Sequence, residues 1–323
     1  VEAEGERVGV SVSGHELVFP DYIVLVATTS RSIIELSLDL LNCLSEVRKA
    51  RPCSVGLTDL HASEQDAYVN DALDRINWPS TDAPSVCILD TGMNRHHPLI
   101  EPILSESDMT SVFPDGDYSD DHGGSGHGTP MAGLAAFGDL RNLMVSTEVW
   151  NQLHRLESVK FIRSATPHDA DNYGAVTRSA IYEVEAKSPD RKRVFCMAVT
   201  TSGPNTGGNP SAWSSAVDML AAGSADGDGL SRVILVSAGN TEGHQPSFNY
   251  PEDINRATVQ DPAQAWNAIT VGAYTTRTDI GESDDEALRS VAIAPEHGVS
   301  PFSTTSHDWR PDWPISPDIV MEG

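Results

Sequence analysis

Three polar side chains stand at the end of an apolar run or at the start of a run of small residues. Asp90 ends SVCILD, His127 precedes the small residues of GHGTPMAGLAAFG, and Asn240 ends SRVILVSAGN. A carboxylate, an imidazole and an amide can together accept protons and donate hydrogen bonds, which is the chemistry of general acid–base catalysis. Each residue alone also has an ordinary explanation, as a turn former, a surface histidine or a turn asparagine. Their interpretation therefore depends on the elements that carry them.

Short apolar runs alternate with helical segments in the later part of the chain, which predicts a parallel, doubly wound sheet. The predicted strands are 85–90, 159–165, 193–199, 231–239 and 267–274, and the predicted helices are 129–140, 174–187 and 211–223. The strands are continuous in Val, Ile and Leu, as is typical of strands buried on both faces. The predicted fold class is α/β, with a mostly parallel sheet and helices on both faces. Ligands bind at the carboxyl ends of such strands, so the three polar residues are expected on one rim.

The first eighty residues differ in character from the rest, and PSTDAP (79–84) is typical of a linker. A strand is predicted at 21–29, a helix at 32–50 and a second helix from 63 to about 76. We therefore predict that residues 1–80 form a small N-terminal α+β extension, either propeptide-like or accessory. Residues 81–323 are predicted to form the main domain.

Residues 84 to about 323 resemble the subtilisin-like serine peptidases, or subtilases. VCILDTGMNRHHPL, GHGTPMAGLAA and ILVSAGN are similar to the family segments around the catalytic Asp, the catalytic His and the oxyanion Asn, in the family's chain order. The resemblance implies a subtilisin-like fold and a serine endopeptidase acting on polypeptides. It also implies that Asp90 orients the base, His127 is the general base and acid, and Asn240 donates to the oxyanion. The glycines around His127 are expected to let the substrate backbone come close.

The substrate-pairing strand is likewise expected from the resemblance. CMAVTTSG (196–203) is similar to the family segment whose edge pairs with the substrate backbone, so Thr201, Ser202 and Gly203 are expected to bind substrate. The chain departs from the family at Pro130, where a second histidine often follows GHGT. Proline at this point suits the first turn of a helix.

The nucleophilic serine has no counterpart in the sequence. The family carries it in a Gly-Thr-Ser motif that opens a long helix, and neither Gly-Thr-Ser nor Gly-Ser-Ser occurs here. Ser300 follows Asn240 in the right order, but Pro301 comes next and more prolines follow, which excludes a long helix. SPFSTTS and WPISPDIVMEG instead resemble the family segment just before the nucleophile, so the serine is expected beyond residue 323. The chain as given is then expected to be nearly inactive, because only oxyanion and binding effects are left.

A catalytically inactive, subtilase-fold peptide-binding protein is the alternative, because a fold does not fix a function. Asp90-Thr91-Gly92 also matches the signature of aspartic peptidases. That mechanism needs two such aspartates, and Asp-Thr-Gly occurs once. No glycine-rich phosphate loop follows a strand, which argues against nucleotide binding.

No cofactor is required for the predicted chemistry, and no residue is assigned to a metal. The carboxylates of PDGDYSDDHGG (114–124) are of the type that binds a structural Ca²⁺, but EF-hand spacing is absent and a solvated loop is favoured. His96 and His97 match the family loop after the catalytic Asp, which makes zinc the weaker interpretation.

The composition limits the partners. The chain has 47 acidic against 21 basic side chains and a net charge of −26, which argues against nucleic acids and anionic membranes. No run of 18 apolar residues occurs, and the oligomeric state is left open. The four cysteines form no CxxC motif, and unpaired thiols slightly favour a cytoplasmic location. The chain starts with Val1 rather than Met, so its N-terminus looks incomplete and the lack of a signal peptide carries no weight.

Overall fold

The chain divides into two compact units, Val1–His61 and Ala62–Gly323. The computed structural model describes residues 10–18, 23–36, 44, 60–121, 126–146, 148–163, 172–201, 207–224, 227, 229–241, 248–276, 278 and 292–323. The division falls earlier than the predicted boundary at residue 80, so the second predicted helix belongs to the larger unit. In the part of the chain so described, no helix is long and apolar enough to cross a membrane.

The smaller unit contains a hairpin followed by a helix. Strands β1 (Ser11–Val18) and β2 (Ile23–Thr28) pair antiparallel, and helix α1 covers Arg31–Leu36. The hydroxyl of Ser30 accepts a hydrogen bond from the Ile33 N–H at 3.3 Å and so caps this helix. The strand predicted at 21–29 is present as β2. Most of the helix predicted at 32–50 lies outside the described residues.

The larger unit alternates strands with helices. In chain order its elements are α2 (Ala62–Asp74), β3 (Ile76–Asn77), β4 (Ser85–Asp90), β5 (Met109–Ser111), α3 (Gly128–Phe137), α4 (Leu140–Val145), β6 (Trp150–Asn151), β7 (Arg155–Lys160), α5 (Tyr173–Lys187), β8 (Arg193–Met197), α6 (Ala212–Ala222), β9 (Ile234–Ser237), α7 (Glu252–Arg256), β10 (Ile269–Tyr274) and β11 (Ile319–Glu322).

Within the described residues, seven of these strands form one sheet in the order β11-β10-β9-β8-β4-β7-β5, and all neighbouring pairs are parallel. Side chains of β4 alternate between the two faces of this sheet, because successive residues of a strand point in opposite directions. Cys87 and Leu89 join the core formed with α5 and α6, whereas Ile88 joins the core formed with α2 and α3. The predicted doubly wound α/β fold is confirmed.

Several elements differ from their predicted bounds: the strand predicted at 231–239 is shortened to β9, for example, and two other cases have an identifiable cause. The strand predicted at 159–165 is β7, which begins four residues earlier and is buried along its whole length although it contains Arg155, Glu157 and Lys160. The helix predicted at 129–140 ends at Phe137, where Gly138 adopts a φ of 63° and α4 begins soon after. An apolar-run criterion misses the first case because the charges of β7 are neutralised by partners inside the protein.

Candidate active site

Asp90 is the last residue of β4 and stands at the carboxyl edge of the sheet. Its side chain is 1% exposed. One carboxylate oxygen, Oδ1, accepts the backbone N–H of Thr91 at 2.8 Å. Burial holds this carboxylate in one place, at the end of an interior strand that lies between β8 and β7.

His127 pairs with that carboxylate. Its Nδ1 lies 2.9 Å from Oδ1 and 2.8 Å from Oδ2 of Asp90. The residue is the N-cap of α3, so the helix start fixes its backbone, and half of its side chain is exposed. The hydrogen bond that His127 donates to the Asp90 carboxylate raises the pKa of His127 above the ordinary value, and burial opposes this rise only in part. Among the described residues, none is recorded as a hydrogen-bond partner of Nε2. The neutral ring therefore carries its proton on Nδ1 and offers the Nε2 lone pair.

Thr91 and Asp120 hold this pair in place through hydrogen bonds, a role that no sequence motif predicts. The Thr91 hydroxyl accepts the N–H groups of His127 at 3.0 Å and Gly128 at 2.9 Å, and it donates to Oδ1 of Asp120 at 2.6 Å. Oδ2 of Asp120 in turn accepts the N–H of Thr129 at 2.9 Å. Burial acts to raise the pKa of Asp120, but the hydrogen bonds from Thr129 and Thr91 outweigh it and lower that pKa. Together these bonds satisfy the first amides of α3 and fix the helix relative to Asp90.

The glycines of this region allow backbone segments to pack closely, and the expectation that those around His127 admit the substrate stays a prediction. A Cβ on Gly128 would lie 2.0 Å from the carbonyl oxygen of Gly92. Gly92 itself adopts a φ of 99°, and a Cβ there would lie 2.4 Å from the carbonyl oxygen of Ser119. The loop after β4 and the start of α3 thus touch through backbone atoms. A side chain at Gly128 would force these two segments apart, and one at Gly92 would clash with the backbone of residues 118 and 119.

The acidic loop that resembled a Ca²⁺ site is neutralised by cations of the chain. Lys160, at the end of β7 and 2% exposed, lies 2.9 Å from Asp117 and 3.1 Å from Asp121. Arg163 lies 2.6 Å from Asp115. Hydrogen bonds from Ser119 and then Lys160 lower the pKa of Asp117. Among the described residues, no group of three or more acidic, histidine or cysteine side chains is arranged to hold a metal ion.

Asn240 follows β9 at the same carboxyl edge of the sheet, and its residue is exposed. One strand, β8, lies between β9 and β4, so about 10 Å of sheet separates the strand of Asn240 from that of Asp90.

Of the three residues predicted to pair with the substrate, Thr201 is described by the structure. The N–H of Thr201 donates to the carbonyl oxygen of Asp261 at 2.9 Å, in an antiparallel bridge. Ser202 and Gly203 lie outside the described residues.

Ser300 does not meet His127. It is 2% exposed and lies just before a turn, where its N–H donates to the carbonyl oxygen of Ala273 at 2.9 Å. Its hydroxyl accepts from the Phe302 N–H at 3.4 Å. No helix follows Pro301 among the described residues 292–323. The argument from the prolines against this serine is consistent with that geometry.

Comparison with known proteins gives a family and several solved structures. The family model described as "Subtilase family" matches residues 81–323. A search of curated proteins gave no match. The similar solved structures include the CspB protease of Clostridium perfringens (14% identity, 74% of this chain and 76% of that chain, TM-score 0.47) and a psychrophilic subtilisin-like protease of the Antarctic psychrotroph Pseudoalteromonas sp. AS-11 (16%, 83% and 44%, TM-score 0.44). Sphericase is also among them (21%, 71% and 61%, TM-score 0.39). The chain thus spans 44% and 61% of the length of the last two proteins.

Proposed function

Because this chain belongs to the subtilase family, we propose that the protein is a serine endopeptidase that hydrolyses polypeptides through an Asp-His-Ser triad. Asp90 is the orienting carboxylate, His127 is the general base and acid, and Asn240 is a side-chain donor to the oxyanion. The observation that carries the proposal is the contact of 2.8 Å between His127 Nδ1 and a buried Asp90, with Nε2 left for another group.

The proposed mechanism follows from that geometry. A serine hydroxyl is a weak nucleophile until a neighbouring base takes its proton. The Nε2 lone pair of His127 accepts this proton, and the imidazolium that forms is stabilised by the Asp90 carboxylate. The serine oxygen bonds to the carbonyl carbon of the scissile peptide, and Asn240 stabilises the negative charge on the tetrahedral intermediate. His127 then gives the proton to the leaving amine as the C–N bond breaks. Water, deprotonated by the same imidazole, finally attacks the acyl group and releases it from the serine, which recovers its proton from His127. The mechanism uses side chains alone and calls for no cofactor.

We place the serine beyond residue 323, in the full-length natural protein. Among the described residues none offers a hydroxyl to Nε2 of His127, and Ser300 is buried beside a turn. In the same proposal, the backbone of Thr201, Ser202 and Gly203 pairs with the substrate as an added strand. The competing function is an inactive subtilase-fold protein that binds peptides without cleaving them.

A fluorophosphonate probe tests the triad in the full-length natural protein. The probe modifies an activated serine, and mass spectrometry of the digested protein identifies the residue. We expect labelling beyond residue 323 that is lost in His127→Ala, because the unassisted hydroxyl is about 10⁶-fold less reactive in such triads. The matched control is His96→Ala, since His96 is 80% exposed and lies outside the pair.

Two results would contradict this assignment. Labelling at Ser300 would show that a buried turn serine is the nucleophile. An absence of labelling in a protein shown to be folded would favour the inactive, peptide-binding alternative.

A further inference from the structure

The side chain of Gln260 holds both backbone groups of Asn240. Its Oε1 accepts the N–H of Asn240 at 3.1 Å, and its Nε2 donates to the carbonyl oxygen of Asn240 at 2.9 Å. Oε1 also accepts the hydroxyl of Thr200 at 2.8 Å. The orientation of the amide is fixed by its partners, because a carbonyl oxygen needs a donor and an N–H needs an acceptor.

The backbone around Asn240 is shaped to fit Gln260. Gly239 adopts a φ of 115°, and a Cβ at this residue would lie 2.5 Å from Oε1 of Gln260. The N–H of Gln260 donates to the carbonyl oxygen of Ala238 at 2.9 Å. Three consecutive residues, 238–240, thus contact one glutamine, and the absence of a side chain at Gly239 leaves the space that its amide fills.

Residues 260 and 261 also hold the segment that directly follows β8. Thr200 bonds the Gln260 side chain, and the next residue, Thr201, donates its N–H to the carbonyl oxygen of Asp261 at 2.9 Å. Residues 260–261 therefore connect the proposed substrate-pairing segment to the proposed oxyanion donor.

We propose that Gln260 is the positioning residue for Asn240, an inference that rests on the proposed function. An oxyanion donor works only when it lies about 2.7–3.1 Å from the developing charge, and small errors of position lower the rate steeply. Asn240 is exposed, so packing does not hold its side chain and its backbone must set its location. Gln260 fixes that backbone at both its N–H and its C=O, half-buried itself and outside the reacting atoms.

The test is a double-mutant cycle on the full-length natural protein, with kcat and KM measured on a peptide substrate. Gln260→Met keeps the length of the side chain and removes its hydrogen bonds. We expect kcat to fall at least about tenfold while KM changes less than about threefold, because the loss is confined to the transition state. In an Asn240→Ala background the same substitution is expected to lower kcat by less than about threefold, since Gln260 acts through Asn240.

The matched control is Gln264→Leu. Gln264 is a buried amide in the same segment, but its Nε2 bonds the Asp261 carboxylate at 3.0 Å rather than Asn240. We expect its kcat to stay within about threefold of wild type. An unchanged kcat in Gln260→Met, or an equal fall in both backgrounds, would overturn the proposal.

Two further measurements keep the inference testable in every case. If Gln260→Met does not fold, Thr200→Val removes one bond to Oε1 without changing shape, and the cycle is repeated with an expected fall of about threefold to tenfold. If the wild-type protein hydrolyses no peptide, the proposed function fails but the positioning is still decided by amide hydrogen exchange. Loss of protection at the Asn240 N–H in Gln260→Met, but not in Gln264→Leu, supports the proposal, and retained protection contradicts it.

Discussion

Buried carboxylates lie toward both the amino ends and the carboxyl ends of the strands in the seven-stranded sheet, and their hydrogen-bond partners differ. Toward the amino ends of the strands, Glu157 pairs with Arg191 and Arg193, and we call this group the amino-end network. At the carboxyl end, the carboxyl-end pair consists of Asp90 and His127. Both sites include a residue of β4, Ser85 in the network and Asp90 in the pair, and both contain a carboxylate exposed by no more than 2%. They differ in whether the hydrogen-bond partner of the carboxylate has a donor or acceptor left unused.

Every carboxylate oxygen of Glu157 is bonded more than once. Oε2 accepts the Ser85 hydroxyl at 2.7 Å and Nε of Arg193 at 2.9 Å, while Oε1 accepts Nη2 of Arg193 at 2.9 Å and Nη1 of Arg191 at 3.0 Å. Arg191 also reaches Asp108 at 2.7 Å. All these groups are mostly buried. A fully satisfied network of this kind fixes structure and has no capacity left for a reacting group.

In the carboxyl-end pair, only one of the two side chains is fully buried. Asp90 is buried and bonded, but half of the His127 side chain is exposed, and no Nε2 partner is recorded among the described residues. From this difference we infer that a buried carboxylate belongs to a functional site when its hydrogen-bond partner retains an unused donor or acceptor. The following experiments test that distinction.

Replacing Asp90 by Asn has the largest expected effect. The amide imposes the wrong tautomer on His127, and kcat is expected to fall about 10⁴-fold, as in other triads of this kind, with the fold retained. Steady-state hydrolysis by the full-length natural protein measures the loss, and circular dichroism verifies the fold. A fall below about tenfold would mean that Asp90 does not set the tautomer.

Replacing Glu157 by Gln is expected to affect stability alone. The change leaves two buried guanidinium groups without their full counter-charge, which costs about 3 kcal/mol of unfolding free energy. Urea denaturation measures this cost, and kcat per folded molecule should be unchanged. The matched control is Glu101→Gln, a half-exposed partner of Arg95 at 3.6 Å, for which the change is about 0.5 kcal/mol or less. A loss of kcat in folded Glu157→Gln would show that the amino-end network also affects catalysis, which contradicts the distinction between the two sites.

Thr91→Val tests the brace between the two members of the carboxyl-end pair. Valine keeps the shape but removes the acceptor for the N–H groups of His127 and Gly128. We expect kcat to fall about tenfold through misplacement of His127, with about 2 kcal/mol of stability lost from two unpaired amides. Thr91→Ser should restore most of both quantities. Unchanged kinetics in Thr91→Val would limit the hydroxyl to a role in folding.

The pH dependence gives the smallest effect. The bond from Asp90 raises the pKa of His127, so kcat/KM is expected to rise with pH through a value above the ordinary 6.5. The same shift stabilises the fold most below the unfolded-state pKa, and this contribution is lost as pH rises through the folded-state pKa. An NMR titration of the His127 ring measures the shift, which should become smaller in Asp90→Asn. An identical midpoint in both proteins would exclude Asp90 as its cause.

The sequence was sufficient for the strands that are continuous apolar runs, and insufficient where burial depends on paired charges. Strand β4 lies where SVCILD predicts it. The prediction for β7 starts at the apolar run VKFIRSA (159–165) and so misses Arg155 to Ser158, although Glu157 is neutralised by arginines that precede and begin β8. A local pattern does not contain the partners that make such burial favourable.

For the site, short motifs predicted the residues with unusual chemistry but not those that position them. Asp90 and His127, taken from two separate motifs, are in contact. Thr91, Asp120 and Gln260 act through hydrogen bonds to backbone amides distant in sequence, which leave no periodicity or motif to read. The catalytic roles of Asp90 and His127 stay predictions, as do the roles of Asn240, Thr201, Ser202 and Gly203.

The contact between Gly92 and Gly128 bears on how sequence variation in this protein is to be interpreted. A methyl group on Gly128 would lie 2.0 Å from the carbonyl oxygen of Gly92, so neither the loop nor the helix start can accept a side chain without moving. In a saturation library selected for function, both glycines are therefore expected to tolerate substitution as poorly as Asp90 and His127 do. Intolerance at these positions would result from the close packing of two backbone segments. A map of tolerated substitutions would therefore show a functional centre that is larger than the set of residues that take part in the reaction.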